Sequence, residues 1–484
     1  MKQINFSVIN LGCSKNTVDT EFVLGEILKL NSEENQINFF PDPEDKEVEY
    51  VIINTCGFLS SSRDEAEETI WYYDHIGKKV ILIGCYVPVK DDKFLSGLKN
   101  LEAVVPYSEV KNVSEILIPH PNPLLGEERG QENILPPSPL KEKDGGGGVN
   151  LKHNLYKLKK DKLQSYLSKI GGDQINTKAY IYGSESVRAF LHADKGYEYL
   201  KIAEGCNNKC SFCIIPNIRG KQTSRTIEDI LTEVKIMVDS GIKEIEIISQ
   251  DTTRYGVDLY KAPKLLELLE EIDKLEGDFK IRLFYMYPDI LSLSHIDRLA
   301  NLKKLLPYFD FPFQHISPTV LKNMGRFYDD KHILKLLDYI KEKFNKPFLH
   351  TNFIVGFPGE KEDDFEQLLN FAKRYEFDSV SVFGYHDEPL ADSSKLENKV
   401  DNKTIRDRLK RLKKVLNDIY DKKDDIRVGE EQVGYIDDII DEKTLIVRPE
   451  IKAPEVDDYD KVKVGDVISG EFEIGSKIVY IYNP

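Results

Sequence analysis

Six short apolar segments alternate with helical segments between residues 197 and 385, and this pattern constrains the fold of the chain most strongly. The predicted strands are residues 198–203, 244–249, 280–285, 308–313, 348–355 and 379–385. Strands that alternate with helices in this way form a parallel sheet, and helices are predicted at 226–240 and 264–275. Six such units predict an open, partial (β/α)6 barrel whose functional residues lie in loops at the carboxyl ends of the strands.

The amino-terminal part of the chain has a shorter alternation of the same kind. Residues 4–11, 50–54 and 80–83 are apolar, and residues 17–30 and 62–75 have helical periodicity. This pattern predicts an open parallel α/β sheet. One cysteine follows each predicted strand: Cys13, Cys56 and Cys85. Because carboxyl ends of parallel strands meet at one edge of a sheet, we expect these thiols to converge; the alternative is three unrelated buried thiols.

The other three cysteines, Cys206, Cys210 and Cys213, follow the first strand of the central repeat. Their Cys-x3-Cys-x2-Cys spacing supplies three thiolates from one loop, and a four-iron cluster held by three thiolates keeps one iron open for another ligand. A zinc site would pair Cys-x2-Cys with a second Cys or His pair. No such pair follows in the next forty residues. The spacing therefore favours an iron–sulfur cluster, with zinc and simple burial as the alternatives.

The last part of the chain has the pattern of an antiparallel β structure. Short alternating runs at residues 432–436, 443–447, 467–472 and 477–482 are separated by Gly, Asp and Pro. We therefore predict a small antiparallel β-barrel. Residues 426–484 contain 14 Asp and Glu against 7 Lys and Arg, so the net charge of this barrel is −7.

These patterns divide the chain into four parts: an amino-terminal domain (1–119), a low-complexity insertion or linker (120–192), the central partial barrel (193–424) and the C-terminal barrel (425–484). The insertion contains several prolines and four consecutive glycines at 145–148. Such a composition cannot bury enough apolar surface to order itself. Its basic run at 157–162 could contact RNA or form an ordinary solvated face.

Composition agrees with an intracellular enzyme. The net charge is −16 and the pI is near 5.2, which argues against a large nucleic-acid footprint because phosphate binding requires clustered Lys and Arg. The amino terminus lacks the pattern of a signal peptide, and no apolar run approaches the roughly 18 residues that span a membrane. Unpaired cysteines fit a reducing compartment. We expect a cytoplasmic enzyme without membrane contact.

The cysteine motifs resemble those of a known family. The run Cys206-x3-Cys210-x-Phe212-Cys213 is similar to the signature of radical S-adenosylmethionine (SAM) enzymes. Within that superfamily, Leu11-Gly-Cys13, Asn54-Thr-Cys56-Gly57 and Gly84-Cys85 resemble the amino-terminal motifs of the methylthiotransferases, which insert sulfur and a methyl group into a C–H bond.

The resemblance implies two 4Fe–4S clusters and SAM as cofactors. It places one cluster on Cys206, Cys210 and Cys213, where the open iron binds SAM and an electron cleaves it to a deoxyadenosyl radical. It places the other on Cys13, Cys56 and Cys85, holding the sulfur to be donated. It further implies a small redox protein, flavodoxin or ferredoxin, as electron donor, and a TRAM domain as the C-terminal barrel.

Two other strand-end segments are candidates for cofactor binding. Gly356, Phe357, Pro358 and Gly359 follow the fifth strand and resemble the radical SAM segment that contacts SAM, because glycines let backbone approach a ligand closely. An ordinary tight turn is the alternative reading. After the second strand, Gln250 and Asp251 are expected to line the SAM or substrate pocket, unless their loop is simply solvated.

Three further side chains have less specific signals. Arg219 and Arg225 follow the second cysteine motif, where a guanidinium could bind a carboxylate of SAM or of an aspartate substrate. A structural salt bridge is equally compatible with both arginines. His315 follows the fourth strand and either faces the same site or is a packed residue.

Charge selects between the branches of the family. A tRNA-binding barrel ought to be basic, whereas an acidic one suits a basic protein partner. The chain therefore resembles most the branch that adds a methylthio group to an aspartate of ribosomal protein uS12, with uS12 or the small ribosomal subunit as partner. Asn10-Leu-Gly-Cys-Ser-Lys-Asn16 and Gln250-Asp-Thr-Thr-Arg-Tyr-Gly256 are similar to motifs of that branch.

The chain departs from that branch in its insertion and in Tyr385-His-Asp-Glu-Pro-Leu-Ala391, where a glycine-containing loop is expected. Three alternatives remain. The first is methylthio transfer to isopentenyladenosine or threonylcarbamoyladenosine in tRNA. The second is another radical SAM reaction in which the amino-terminal cluster only transfers electrons. The third is a zinc-stabilised binding protein without catalysis.

Overall fold

The computed structural model describes residues 2–105, 113–117 and 188–483, and the chain forms two compact units. The first unit comprises residues 1–176, 185–189 and 217–219; the second comprises 177–184, 190–216 and 220–484. Apart from 188–192, the predicted insertion at 120–192 lies outside the described residues. The four domain bounds given above stay predictions.

The first unit is built on a five-stranded parallel sheet with the order β2-β1-β3-β4-β5. Its strands are β1 (Lys2–Asn10), β2 (Asn35–Phe39), β3 (Tyr50–Thr55), β4 (Lys79–Gly84) and β5 (Leu101–Val104). Its helices are α1 (Ser14–Leu28), α2 (Ser60–His75), α3 (Asp92–Leu95) and α4 (Val113–Leu117). The predicted open parallel α/β sheet is confirmed.

The central strands of this sheet read as continuous apolar runs because both faces are covered. Ile52 and Ile53 of β3 and Ile81 and Leu82 of β4 are completely buried. The sequence pattern missed β2 and β5, the two edge strands, because each is short and partly polar. The carboxyl ends of β1, β3 and β4 are neighbours, and each leads into a cysteine.

The second unit contains six parallel strands in two three-stranded sheets, ordered β10-β9-β6 and β11-β12-β13. They are β6 (Tyr197–Lys201), β9 (Glu244–Ile248), β10 (Lys280–Leu283), β11 (Tyr308–Gln314), β12 (Phe348–Val355) and β13 (Ser379–Gly384). Between them, β7 (Ala203–Glu204) and β8 (Thr223–Ser224) form a short antiparallel pair. The backbone N–H groups of Tyr285 and Met286 donate to Oδ2 and the carbonyl oxygen of Asp310, which links the two sheets. The predicted partial barrel is confirmed.

Helix α5 (Ile215–Arg219) follows the cysteine loop, and its residues 217–219 belong to the first unit. The later helices are α6 (Ile227–Asp239), α7 (Val257–Tyr260), α8 (Leu265–Asp273), α9 (Leu293–Ala300), α10 (Pro318–Asn323), α11 (Asp330–Lys343), α12 (Glu362–Tyr375) and α13 (Asn402–Arg427). One apolar core joins the longer of these helices to the strands, with Leu268, Leu337 and Leu368 packed among residues of the sheets such as Ile247 and Phe353. Among the described residues, every helix is too short or too polar to cross a membrane.

The last part of the second unit is a five-stranded antiparallel sheet with the order β16-β15-β14-β18-β17. Its strands are β14 (Glu431–Asp441), β15 (Thr444–Pro449), β16 (Asp460–Lys463), β17 (Val467–Gly470) and β18 (Lys477–Ile481). The predicted antiparallel architecture is confirmed, although the sequence pattern missed β16. Ile436, Val447 and Tyr480 form the centre of its core.

Buried charges fix this antiparallel sheet to the barrel. Nη1 of Arg448 lies 2.6 Å from Glu244 Oε2, and Arg282 donates to the backbone oxygens of residues 450–452. Buried charges are costly unless they are paired. The two guanidinium groups outweigh the burial of Glu244 and lower the pKa of its carboxyl to about 2.

Candidate functional site

The three cysteines of the first unit, here called the first triad, lie together at the carboxyl edge of its sheet. Cys13 precedes α1, Cys56 follows β3 and Cys85 follows β4. The thiols are close enough for the charge of Cys13 to raise the pKa of both other thiols. The structure thus brings together three residues that are 43 and 29 positions apart in the sequence.

Asn16 links two of these thiols, Cys13 and Cys85. Its Oδ1 lies 3.6 Å from Cys13 Sγ and 3.9 Å from Cys85 Sγ, while its Nδ2 donates to Asn54 Oδ1 at 2.9 Å. Space is tight at this edge, since a Cβ on Gly57 would lie 2.3 Å from the backbone oxygen of Cys85. Gly57 therefore lets the loops after β3 and β4 approach each other.

Arg219, which the first unit includes, contacts the same group. Its Nε donates to Cys85 Sγ at 3.1 Å, its Nη2 donates to Asn16 Oδ1 at 2.7 Å, and its Nη1 lies 3.3 Å from Asp19 Oδ2. The sequence suggested Arg219 as a carboxylate ligand. The structure instead places its guanidinium against a predicted cluster ligand, with Asp19 balancing its charge.

The pKa values of the three thiols in the first triad shift in different directions. Burial raises the pKa of Cys85 to about 12 although the charge of Arg219 opposes this, and burial also raises the pKa of Cys56. Desolvation raises the pKa of Cys13 as well, but the charges of Lys15 and Arg219 outweigh it, so the net shift is downward. Thiols must lose their protons to bind metal, and a cationic cluster of iron supplies the charge that favours this. Three converging sulfurs beside a buried guanidinium fit an iron–sulfur cluster.

The second triad, Cys206, Cys210 and Cys213, lies in one loop between β7 and α5. Neighbouring backbone holds this loop: Ser211 N donates to the oxygen of Met324 at 2.9 Å, and Ser211 Oγ donates to the oxygen of Asn323 at 2.7 Å. Gly325 has a φ of +70°, and a Cβ there would lie 2.4 Å from the oxygen of Lys209. The loop therefore depends on the turn after α10 for its position.

Burial and mutual repulsion disfavour thiolates in the second triad. Burial is the largest cause of the raised pKa of Cys206, about 11, and of Cys213, about 12, and the neighbouring thiols add to both shifts. The backbone N–H of Asn208 lies 3.4 Å from Cys206 Sγ and favours the thiolate. As in the first triad, a cluster that brings positive charge fits this donor set better than free thiols do.

Arg326 supplies a cation near the second triad, and its charge lowers the pKa of Cys206 and Cys213. Its guanidinium stacks on the rings of Tyr287 and Phe212 at 4.8 and 5.6 Å from their centroids. One Nη donates to the oxygen of Pro312 at 2.5 Å. No sequence pattern indicated Arg326, because only the fold brings it from the turn after α10 to the cysteine loop.

Asp251 lies beside the second triad, and Gln250 contacts Glu204, which precedes the cysteine loop. Asp251 is buried, and its Oδ2 accepts from Asn208 Nδ2 at 2.7 Å. Gln250 Nε2 donates to Glu204 at 2.5 Å. Among the described residues, the buried oxygens Gln250 Oε1 and Asp289 Oδ1 have no hydrogen-bond partner. Unpartnered buried acceptors fit a polar ligand that donates hydrogen bonds, such as the amino group of SAM.

The segment from Gly356 to Gly359 contacts the cysteine loop through Phe212. The oxygen of Pro358 accepts from Asn323 Nδ2 at 3.2 Å, and the ring of Phe357 packs edge-on against Phe212 at 6.4 Å between centroids. Both glycines have positive φ, +82° and +86°, which only glycine adopts at low cost. Phe357 is fully buried, so its ring packs and its backbone is the part available to a ligand.

Glu360, to which the sequence analysis assigned no role, organises this segment. Its Oε2 accepts from the backbone N–H of Gly356 at 2.8 Å and of Phe357 at 3.3 Å, and Arg408 donates to its Oε1 at 2.8 Å. Burial raises the pKa of Glu360 to about 7 against these favourable contacts. An acidic residue directly after a Gly-x-x-Gly turn was the available signal.

The two remaining candidates are structural. Arg225 is buried, pairs with Asp229 and Glu233, and donates to the oxygen of Lys201 at 3.0 Å. His315 is fully buried, and its Nδ1 accepts from Ser317 N at 3.0 Å. Burial lowers the pKa of His315 to about 3, so it is neutral at physiological pH. For both, the structure favours the packing alternative over a ligand role.

Comparison with known proteins first gives the class. Residues 200–372 match the Radical SAM superfamily, and residues 5–106 match the Uncharacterized protein family UPF0004. A solved structure of the radical SAM methyltransferase TsrM from Kitasatospora setae, with cobalamin and a 4Fe-4S cluster bound, has a similar fold. Its TM-score is 0.52 at 14% identity, with 81% of this chain and 74% of that chain covered.

Sequence relatives then give the family. The ribosomal protein uS12 methylthiotransferase RimO of Aquifex aeolicus is 36% identical, over 94% of this chain and 90% of that protein. The RimO proteins of Carboxydothermus hydrogenoformans and Nostoc punctiforme are 31% and 33% identical, with 95% and 94% of this chain and 93% and 92% of those proteins covered. The chain belongs to the RimO family of radical SAM methylthiotransferases. The family is one of transferases, and SAM and 4Fe–4S clusters are its cofactors.

Proposed function

We propose that this protein adds a methylthio group to the β-carbon of an aspartate in ribosomal protein uS12. The observation that carries the proposal is the presence of two separate converging cysteine triads, one in each unit. A reaction that needs only a radical would require one cluster. Two clusters suit a reaction that needs both a radical and a source of sulfur.

The second triad would hold the cluster that binds SAM, and the first triad would hold the second cluster. When bound, SAM and the two clusters would supply the radical, the sulfur and the methyl group, and the reductant would supply the electron; side chains cannot provide these. The polar groups beside the second triad suit SAM as ligand: the carboxylate of Asp251, the free oxygen of Gln250 and the backbone at Gly356. On this assignment the six cysteines are the cluster ligands, and Gln250, Asp251 and the turn from Gly356 to Gly359 contact SAM.

The protein itself would position the reacting groups and shield them from water. Phe212 and Phe357 pack beside the second triad and exclude water from one side of it. Glu360 fixes the backbone of the turn at Gly356, and Asn208 fixes the carboxylate of Asp251. Radical transfer needs reacting atoms held in line in a dry site, and fixed neighbours of this kind provide that alignment.

The charge of the C-terminal sheet supports a protein substrate. This part of the chain carries a net charge of −7 and exposes Asp438, Glu442, Glu471 and Glu473. Complementary charge speeds encounter with a basic partner, and a protein that binds ribosomal RNA is basic. We further propose flavodoxin or ferredoxin as electron donor and the cytoplasm as the place of the reaction.

The test is an assay with anaerobically reconstituted enzyme, SAM and a reductant, supplied separately with small ribosomal subunits and with unmodified tRNA. We expect mass spectrometry to find one methylthio group in place of hydrogen on an aspartate of uS12, and no gain on tRNA. The same gain on tRNA alone would move the chain to the tRNA-modifying branch. Replacing the chemical reductant with flavodoxin or ferredoxin tests the electron donor.

A further inference from the structure

Helix α13 carries an exposed row of cations in a chain whose net charge is −16. Lys403, Arg406, Lys410, Lys413 and Lys414 are all exposed, and we call them the basic stripe. Residues three and four positions apart lie on the same side of a helix. At 1.5 Å per residue the stripe extends for about 16 Å along the helix axis.

The stripe differs from the other basic residues of α13. Arg408 pairs with Glu360 and Glu362, and Arg411 pairs with Glu362 and Glu366. By contrast, none of the five stripe residues forms an ion pair with a described residue. The exposed carboxylate of Asp407 lies beside the stripe and is 3.7 Å from Arg411. The positive charge of the stripe is therefore available to a partner outside the chain.

The buried side of the same helical segment lies against the candidate site. Ile405 packs so closely on the turn after β12 that a Cβ on Gly356 would lie 2.3 Å from it. A Cβ on Gly384, at the end of β13, would lie 3.0 Å from both Ile405 and Leu409. Arg408 holds Glu360, which in turn holds the backbone of Gly356 and Phe357. The basic stripe is thus carried by the helix that borders the carboxyl-end loops of the barrel.

We propose that the basic stripe binds the phosphate backbone of RNA beside the protein substrate. The inference rests on the proposed function, since an enzyme that modifies uS12 in the small ribosomal subunit meets ribosomal RNA around its target. Spaced, unpaired lysines and arginines on one exposed helix face suit a row of phosphates, because neutralising phosphates releases counterions. The acidic C-terminal sheet and the basic stripe then serve the two components of one ribonucleoprotein.

A charge-reversal variant tests this proposal on the full chain. It carries Lys403→Glu, Arg406→Glu and Lys410→Glu. The control carries Lys235→Glu, Lys303→Glu and Lys335→Glu, which are exposed residues of the same unit and change the net charge equally. Both are measured for binding to isolated small ribosomal subunits over a range of salt concentrations, and for modification of free uS12.

We expect the stripe variant to bind subunits at least tenfold more weakly than the control. Each lost phosphate contact should flatten the slope of log affinity against log salt by about 0.7 to 0.9, so three contacts should flatten it by about two to three. Modification of free uS12 should stay at the level of the unchanged protein. Should the triple variant unfold, Lys403→Gln with Lys410→Gln gives the same comparison with a smaller loss.

Several results would overturn the proposal. Equal weakening in the control would show a general effect of net charge, and unchanged subunit binding would show that the stripe is an ordinary solvated face. Loss of activity on free uS12 would show a role in the site itself. Binding to tRNA or to anionic lipid vesicles with higher affinity than to subunits would assign the stripe to another partner.

The two proposals fail in different ways. If the unchanged protein binds subunits but never modifies uS12, the proposed function is wrong, and the binding comparison between the stripe variant and the control still decides the stripe proposal.

Discussion

The two cysteine triads offer the same three sulfurs but are assembled in different ways. The first triad gathers residues from the ends of three strands, between Cys13 and Cys85, whereas the second lies within a loop from Cys206 to Cys213. The first can exist only when its sheet has formed, since β1, β3 and β4 must be neighbours. The second is local in sequence and depends on its packing against the turn at Gly325.

The surroundings of the triads are more alike than their origins. Each has one buried arginine whose charge favours thiolates: Arg219 in the first and Arg326 in the second. Arg219 donates a hydrogen bond to Cys85 Sγ. The guanidinium of Arg326 instead stacks on the ring of Tyr287 and lowers the pKa of Cys213 through its charge. In both triads a nearby guanidinium therefore lowers the pKa of thiols against the effect of desolvation, although the two arginines come from different parts of the fold.

Removing one cysteine from each triad should have the largest effect and separates their roles. Cys210→Ala should reduce SAM cleavage to background, because the open iron is lost with the cluster. Cys56→Ala should leave SAM cleavage measurable but stop formation of the methylthio product. Chromatographic assay of 5′-deoxyadenosine and mass spectrometry of uS12 measure the two steps. A normal yield of product from Cys56→Ala would contradict the two-cluster assignment.

Glycine-to-alanine substitutions should disrupt each triad without replacing a cysteine. Gly84→Ala meets Asn54 Oδ1 at 2.4 Å and should cost the first triad its iron, and Gly325→Ala meets the oxygen of Lys209 at 2.4 Å and should do the same to the second. Both have positive φ, which costs alanine about 1–2 kcal/mol. Iron and sulfide analysis, combined with the absorbance of the remaining cluster, measures the loss.

Two other glycines provide matched controls for this pair. Gly77 and Gly241 have φ of +83° and +91°, but a Cβ on either meets nothing within 4 Å. Gly77→Ala and Gly241→Ala should therefore lower thermal stability through backbone strain alone and retain full iron. Iron loss in the controls as large as in Gly84→Ala and Gly325→Ala would show that strain, and not the close contact, empties the sites.

Buried strands and cysteine positions were the features that the sequence predicted best. Apolar runs predicted all six barrel strands and three strands of the first sheet, because buried parallel strands carry continuous apolar residues. The edge strands β2 and β5 were not predicted, because each is short and partly polar and so lacks a continuous apolar run. Cysteine spacing indicated the second triad directly, and the position of each thiol after a strand predicted that the first triad would converge.

Partners that the fold brings from a distance could not be predicted. Arg219 follows Cys213 by six residues, which suggested a role at the second triad, yet it donates to Cys85, 134 residues away. Arg326 had no motif that distinguished it from ordinary charged residues, and Glu360 had only its position directly after the Gly-x-x-Gly turn. The insertion at 120–192 lies almost entirely outside the described residues, so its composition remains the only basis for its interpretation.

Replacing Arg219 should weaken iron binding by the first triad at neutral pH and leave iron binding by the second triad unchanged. Arg219→Met removes the charge that lowers the pKa of Cys13 and Cys85, so both thiols deprotonate at higher pH and iron binding shifts to higher pH. Arg219→Lys keeps the charge but loses the paired donors, and we expect a smaller shift. Iron binding as a function of pH is measured with Cys206, Cys210 and Cys213 replaced by alanine, so that only the first triad reports. An unchanged pH profile for Arg219→Met would contradict the electrostatic role.

The smallest effect is a difference in reactivity among the thiols of the metal-free protein. Thiolates, and not thiols, react with iodoacetamide, so the rate at a given pH follows the thiolate fraction. The pKa of Cys13 is lowered, whereas the pKa values of Cys85, Cys206 and Cys213 are raised to about 12, 11 and 12.

Cys13 should therefore be modified first at neutral pH, and its rate should level off below the pH at which the other three are still gaining thiolate. Peptide mass spectrometry after timed labelling measures each cysteine separately. In urea the burial and the neighbouring charges disappear, so all six cysteines should react at similar rates, which controls for differences between the peptides themselves. Equal rates for Cys13 and Cys213 in the folded protein would show that the charges of Lys15 and Arg219 do not distinguish the triads. A faster Cys13 whose rate levels off at lower pH than the rates of Cys85, Cys206 and Cys213 would show that the first triad contains the most acidic of these four thiols.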